Sequence, residues 1–332
     1  MKRTVAVLLA LVTLLVCAVL PACSPKKKSI MIYATSEDFR IENAQKMLNE
    51  KFPEYKVIVE YKSTGELAAK LANEGKDTDC DIVMELENTY LEKLGDTVAK
   101  LDGIEGVDFD RYLPDLVPAS HRYVPLIRTS GAIVVNKAKL EEKGLSVPTC
   151  YDDLTKPEYK GLVSMPNPKS SGTGYVFYLN MVNTRGKEQA LTYFDALAAN
   201  LSGAGYTSSG SGPVKALKLG EAAIGLCMTW QAVDEINHGA DYEILYFDEG
   251  APYNTYSSAI ISGRETDPDV QKVFAYILSD VCSKDKELFA PEQICRDKTY
   301  RIKNFPADIP YADMTGVQDI AKKEELLDAW KY

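Results

Sequence analysis

From residue 29 onward, short apolar runs alternate with stretches of helical period. Ser29 to Tyr33, Lys56 to Tyr61 and Cys80 to Met84 are apolar runs of strand length. Between them, Ile41 to Phe52 places apolar side chains at Ala44, Met47, Leu48 and Phe52, which predicts a helix. Leu67 to Glu74 predicts a second helix, and a third falls within Tyr90 to Leu101. This βαβαβ rhythm predicts a parallel sheet wound by helices.

Tyr123 to Asn136 is then extended, and a second series begins near Thr149. It holds a strand at Leu162 to Met165, a helix from about Gly174 and a helix from Pro213 to Leu219. Strands follow at Ala222 to Met228 and Tyr242 to Phe247. Tyr256 to Ile261 is extended again. Helices at Asp269 to Val281 and Asp319 to Trp330 close the chain, joined by a loop with Pro291, Pro306 and Pro310. Two α/β units with two extended crossings predict two lobes on a two-strand hinge. One lobe takes residues 29–128 plus 257–332, the other residues 129–256. Ligands of open α/β sheets bind beyond the carboxyl ends of the strands. Here that is a cleft between the lobes, where closure buries what is bound.

The start of the chain adds a location. Lys2 and Arg3, the apolar run Val5 to Leu20, then Pro21 and Ala22 have the parts of an export signal over residues 1–22. The run is shorter than the ~20 residues a spanning helix needs. Leu20, Ala22 and Cys23 resemble a bacterial lipobox, which implies a lipid on Cys23. Residues 23–28, with Lys26, Lys27 and Lys28, read as a flexible tether. The expected location is outside the cytoplasm, with the lipid as the only membrane contact.

Net charge is −10, and loss of Lys2 and Arg3 takes it to −12. A field of that sign argues against nucleic acid as a partner. Of seven cysteines, Cys80, Cys150, Cys227, Cys282 and Cys295 remain beyond Cys23. Cys282 and Cys295 lie on adjacent predicted elements, but spacing leaves the pairing open. There is no C-x-x-C and no Cys/His spacing for zinc. G-x-S-x-G, H-E-x-x-H and a G-K-[ST] phosphate loop are also absent. The two histidines, His121 and His238, have no partner pattern. No catalysis, cofactor or resident metal is expected.

Four segments follow predicted strands and precede predicted helices. They carry Thr35 and Ser36; Ser63 and Thr64; Ser171, Gly172 and Thr173; and Ser209, Gly210 and Ser211. Each offers hydroxyls and free backbone N–H groups where the helix dipole is positive, a setting that attracts anions. Glycine allows the backbone close to a ligand. Ser63 to Glu66 equally fits a capping box, and Ser211 to Pro213 an ordinary helix start. Trp230, after the strand ending at Met228, reaches a cleft rim or packs between lobes. Glu249, after the strand ending at Phe247, could hold an amine or sugar hydroxyls, or lie in a solvated turn. Arg128, beside the first crossing, offsets ligand charge or forms a hinge salt bridge.

The stretches Lys156 to Gly174, Leu219 to Gly225 and Gly131 to Asn136 resemble extracellular solute-binding proteins of ABC importers. The resemblance covers essentially the whole chain after the signal. It is to the ferric-iron-transport-like branch, which includes binders of sugar phosphates and aminoethylphosphonate. It implies a type II periplasmic-binding-protein fold, hinged closure, a monomer, and an importer permease as partner. Ferric binders of this type commonly carry adjacent tyrosines after the strand that follows the Gly-Glu-Ala motif. Here that place reads Met228, Thr229, Trp230, Gln231, and no Tyr-Tyr pair occurs among 20 tyrosines. Tyr33, Tyr253 and Tyr256 could still supply phenolates by another arrangement. The serine and glycine segments instead resemble those of the phosphate-containing group. The expected ligand is a small anionic solute, a phosphorylated sugar or phosphonate, with ferric iron as the alternative.

Overall fold

The computed structural model describes residues 27–203 and 205–332. The signal segment 1–22, Cys23 and the tether as far as residue 26 lie outside the described residues.

Strands β1 (Ser29–Ala34), β2 (Lys56–Tyr61) and β3 (Ile82–Glu87) are followed respectively by helices α1 (Asp38–Lys51), α2 (Thr64–Glu74) and α3 (Asn88–Leu94). β1 pairs in parallel with both β2 and β3, as the βαβαβ pattern predicts. Period-two alternation puts Ile30, Ile32, Ile82 and Met84 on one face, against α1. Tyr33, Val83 and Leu86 face the other way, against α2 and α3.

The second half holds β4 (Val124–Asn136), α4 (Lys137–Glu142), β5 (Val163–Ser164), α5 (Gly172–Arg185), α6 (Lys187–Ala198), α7 (Gly212–Lys218), β6 (Ile224–Met228), α8 (Thr229–Asn237) and β7 (Tyr242–Leu245). Then come β8 (Tyr253–Ile260), α9 (Pro268–Tyr276), α10 (Cys282–Leu288) and α11 (Ile320–Ala329). The strand order is β2-β1-β3-β8-β4-β6-β5, with β7 also on β4. β4 is the through-strand. Val124 to Ser130 pair with β8, and Gly131 to Val135 pair with β6. β8 returns beside it, so two extended crossings join two cores. At the crossing, a side chain on Gly131 would come within 2.7 Å of the Phe177 ring of α5, so only glycine lets the strand pass.

The second core packs α5 and α6 on Ile133, Val135, Ile224 and Leu226. The predicted helix from Gly174 is in fact two helices. Gly186, at φ +82°, ends α5, and Ala190, Tyr193, Phe194 and Leu197 bury the face of α6. The end of the chain also differs from expectation. Residues 257–281 pack with the first core, but Met314, Val317, Leu326 and Trp330 pack into the second. The buried Trp330 ring lies 5.0 Å from Tyr178 and 5.1 Å from Tyr206. Segment 291–311 is therefore a third crossing, because burying a tryptophan in that aromatic cluster outweighs the cost of ordering a loop to reach it.

The five described cysteines are free thiols. No helix among the described residues is long and apolar enough to cross a membrane.

Candidate functional site

Helix α5 begins at the seam between the two cores. Ser171 is its N-cap and accepts from the Gly174 N–H at 3.4 Å. Gly174 packs the first turn onto the preceding loop, where a side chain would meet the Pro166 carbonyl oxygen at 2.5 Å. The loop carrying Ser209, Gly210 and Ser211 lies against the same helix start. A side chain on Gly210 would meet Thr173 Oγ1 at 2.5 Å and Ser171 Oγ at 3.2 Å. Two of the four predicted segments are thus one cluster. Ser209 and Ser211 bond each other through their hydroxyls at 3.2 Å, and neither hydroxyl caps a helix, although Ser211 is the N-cap residue of α7.

The first half supplies the opposite wall. A Cβ built on Gly172 would lie 3.6 Å from Glu87 Oε2, 3.6 Å from the Tyr256 hydroxyl and 4.0 Å from Asn254 Nδ2. Glu87 ends β3 and stands in register with Tyr256 on β8. Asn254 is 1% exposed, and its Nδ2 has no partner among the described residues. A buried amide donor left open is costly unless a ligand or water takes it. Burial, followed by the charges of Glu87, Glu85 and Glu37, pushes the Tyr256 phenol well above its ordinary range.

Thr35 and Ser36 stand at the end of β1, beside β3. The Thr35 Oγ1 is buried without a partner among the described residues, and the Thr35 N–H donates to the Glu85 carbonyl. Ser36 donates to Glu85 Oε2 at 2.7 Å, within a buried network where Arg40 also pairs with Glu85 and Asp285. Burial pushes the Glu85 carboxyl upward, and Arg40 opposes that shift.

Other predicted residues lie elsewhere. Ser63 and Thr64 follow β2, the outer strand, about 14 Å from β8 at three strand spacings. Ser63 accepts from the Glu66 N–H, which is the capping arrangement. Glu249 pairs with Arg185 at 2.8 Å, at the far end of α5 and roughly 20 Å from Ser171. It serves the second core rather than the seam. Trp230 does lie between the halves, in a second groove of 260 Å³ that it lines with Phe39, Leu288 and Phe289 of the first half. Arg128 stacks on Tyr311 at 3.7 Å and donates to the Gln293 carbonyl, a role at the third crossing. His121 bonds Asp102, and His238 bonds the Asp234 carbonyl.

Glu87 and Asn254 were not singled out in the sequence, and Tyr256 only as an isolated phenol. The available signal was position: Glu87 ends a buried strand, and Asn254 and Tyr256 sit on the return crossing.

A two-core α/β chain with two extended crossings, and helix starts facing the seam, has the type II periplasmic-binding-protein fold. The structure of the periplasmic binding protein AfuA from Actinobacillus pleuropneumoniae, with fructose-6-phosphate bound, superposes with a TM-score of 0.77. It shares 22% identity and covers 92% of this chain and 98% of that one. Iron-bound HitA from Pseudomonas aeruginosa gives a TM-score of 0.75 at 18% identity, covering 91% and 99%. An uncharacterized protein of Haemophilus influenzae is 34% identical over 130 residues. Those residues are 39% of this chain and 37% of that protein. Residues 81–289 match the bacterial extracellular solute-binding protein family. The chain belongs to that family.

Proposed function

We propose that this chain is the solute-binding component of an ABC importer, capturing a phosphorylated sugar or a phosphonate in the cleft between its lobes. It catalyses no reaction. It is a monomer that hands its solute to a permease, held at the outer face of the cell membrane by a lipid on Cys23. One observation carries the choice of ligand. The helix start at Ser171, Gly172 and Thr173, joined by the Gly210 loop, faces the unpartnered amide of Asn254. Free N–H groups, hydroxyls and an amide donor converging on one point suit a tetrahedral anion. Thr35 lies on the same edge of the first half, beside β3.

Ferric iron is the second reading, because Glu87 and Tyr256 offer two hard oxygen donors at that point. Against it, the chain has no adjacent tyrosine pair.

Thermal denaturation with fructose 6-phosphate, 2-aminoethylphosphonate and ferric citrate decides between them. A phosphorus compound should stabilise the protein by about 2.7 kcal/mol at a hundredfold excess over Kd, without turnover. A visible tyrosinate band with iron, and no response to either phosphorus compound, would reverse the choice.

A further inference from the structure

Three sources of positive potential lie near one carboxylate on the seam. The start of α5 brings free backbone N–H groups, Asn254 an unpartnered amide and Lys323 an ammonium. Lys323 projects from α11, which packs with the second core, and donates to Glu87 Oε1 at 2.5 Å. Their side chains are 6% and 3% exposed. The ammonium stands 4.9 Å from the Tyr90 ring on α3 and 4.8 Å from the Tyr175 ring in the first turn of α5. The Thr89 hydroxyl also reaches Glu87 Oε1, at 3.2 Å. Oε2 accepts no hydrogen bond among the described residues and points at Gly172.

A buried cation beside a helix N-terminus is repelled by it, so the arrangement needs an anion in between. In this structure that anion is Glu87, from the opposite half. The pair therefore spans the seam, where the Thr89 hydroxyl also donates to the Val317 carbonyl at 2.8 Å and Lys93 meets Glu324 at 2.9 Å.

We propose that Glu87 is the resident counter-anion of the α5 start and of Lys323, and that Lys323 is a ligand-binding residue held in reserve by it. The anionic group of the solute enters between Gly172 and Lys323 and takes over the contacts that Glu87 now supplies. Without solute, the pair holds the two halves together. The ligand part rests on the anion reading above; the reserve pair does not.

Small-angle scattering and titration with inorganic phosphate on the purified protein test this. Without ligand, Glu87→Gln and Lys323→Gln should each have a larger radius of gyration than the wild type. Glu87→Gln should bind phosphate about tenfold or more tightly, because a competing carboxylate is gone. Lys323→Gln should bind about tenfold or more weakly. The double variant leaves no unpaired buried charge, which keeps the test open if Lys323→Gln fails to fold. It should be expanded and bind phosphate no more tightly than the wild type. Variants as compact as the wild type overturn the proposal, as does Glu87→Gln weakening phosphate. If the variants expand but phosphate binds to none of the four proteins, the reserve pair stands and the anion reading falls.

Discussion

Glu292 Oε1 accepts two hydrogen bonds from Ser130, one from its N–H at 2.8 Å and one from its hydroxyl at 3.0 Å. Ser130 lies on β4 where it passes between the cores, and Glu292 lies on the third crossing. Tyr311 donates to the other oxygen at 2.8 Å, and the Ser130 hydroxyl also meets Thr229 at the head of α8. One buried carboxylate thus ties two crossings together. Removing the hydroxyl with Ser130→Ala should destabilise the fold by about 1.5–3 kcal/mol, the range for a hydrogen bond to a charged group. Urea denaturation measures it.

The same carboxylate gives a pH dependence. Burial pushes Glu292 above its ordinary value of 4.5, against the hydrogen bonds from Ser130 and Tyr311. A carboxyl raised on folding binds its proton more tightly in the native state. Its contribution is then fully present below pH 4.5 and is lost as pH rises through the raised value. Glu292→Gln removes that titration. Melting temperatures from pH 4.5 to 8 should fall less steeply in the variant than in the wild type; parallel curves would contradict this.

Two serines separate binding from capping. Ser171→Ala removes an N-cap and the ligand donor proposed above, so stability should drop by about 1 kcal/mol and affinity by about 1.5–3 kcal/mol. The Ser209 hydroxyl caps no helix and, among the described residues, bonds only Ser211. Ser209→Ala should leave the melting temperature unchanged while weakening the same phosphate ester. Calorimetry and denaturation on both variants check this, and equal losses from Ser209→Ala would remove that loop from the site.

Local pattern carried most of the fold into the sequence. Lys56 to Tyr61 is legible because period-two burial is a local signal, and the long stretch into Asn136 because a run buried on both faces carries consecutive apolar residues. The cluster of Ser171 to Thr173 with Gly210 was legible as two helix starts, because each carries its own Ser/Gly signature. That they touch is not local information. Nor is the placement of Glu249, whose partner Arg185 lies 64 residues away in sequence. Lys323 is invisible for the same reason. On α11 it reads as one of two adjacent lysines in a charged helix, and only the burial of Trp330 in the second core brings it to Glu87. Ser63 shows the reverse error, since a capping box and an anion site share one sequence pattern and only the strand order separates them.

Gly174 tests the packing that sets the helix start. With the Pro166 carbonyl 2.5 Å from any Cβ, Gly174→Ala must shift the loop or tilt α5. The expected cost is about 1–3 kcal/mol of stability. It should appear in the melting temperature together with weaker ligand binding.

Glu249→Ala is the contrasting control. It breaks a pair with Arg185 at the opposite end of α5. Stability should fall by up to about 1 kcal/mol, with ligand affinity unchanged. A parallel loss of affinity in calorimetry would bring Glu249 back to the site.

The grip on a negative charge at the seam is tested most directly by a crystal structure grown with the phosphorus compound that stabilises the protein most. The anionic group should sit within hydrogen-bond distance of the Gly172 and Thr173 N–H groups and of Asn254 Nδ2, between the two halves. Density for that group elsewhere on the surface, or Asn254 still unpartnered beside the bound compound, would contradict the account.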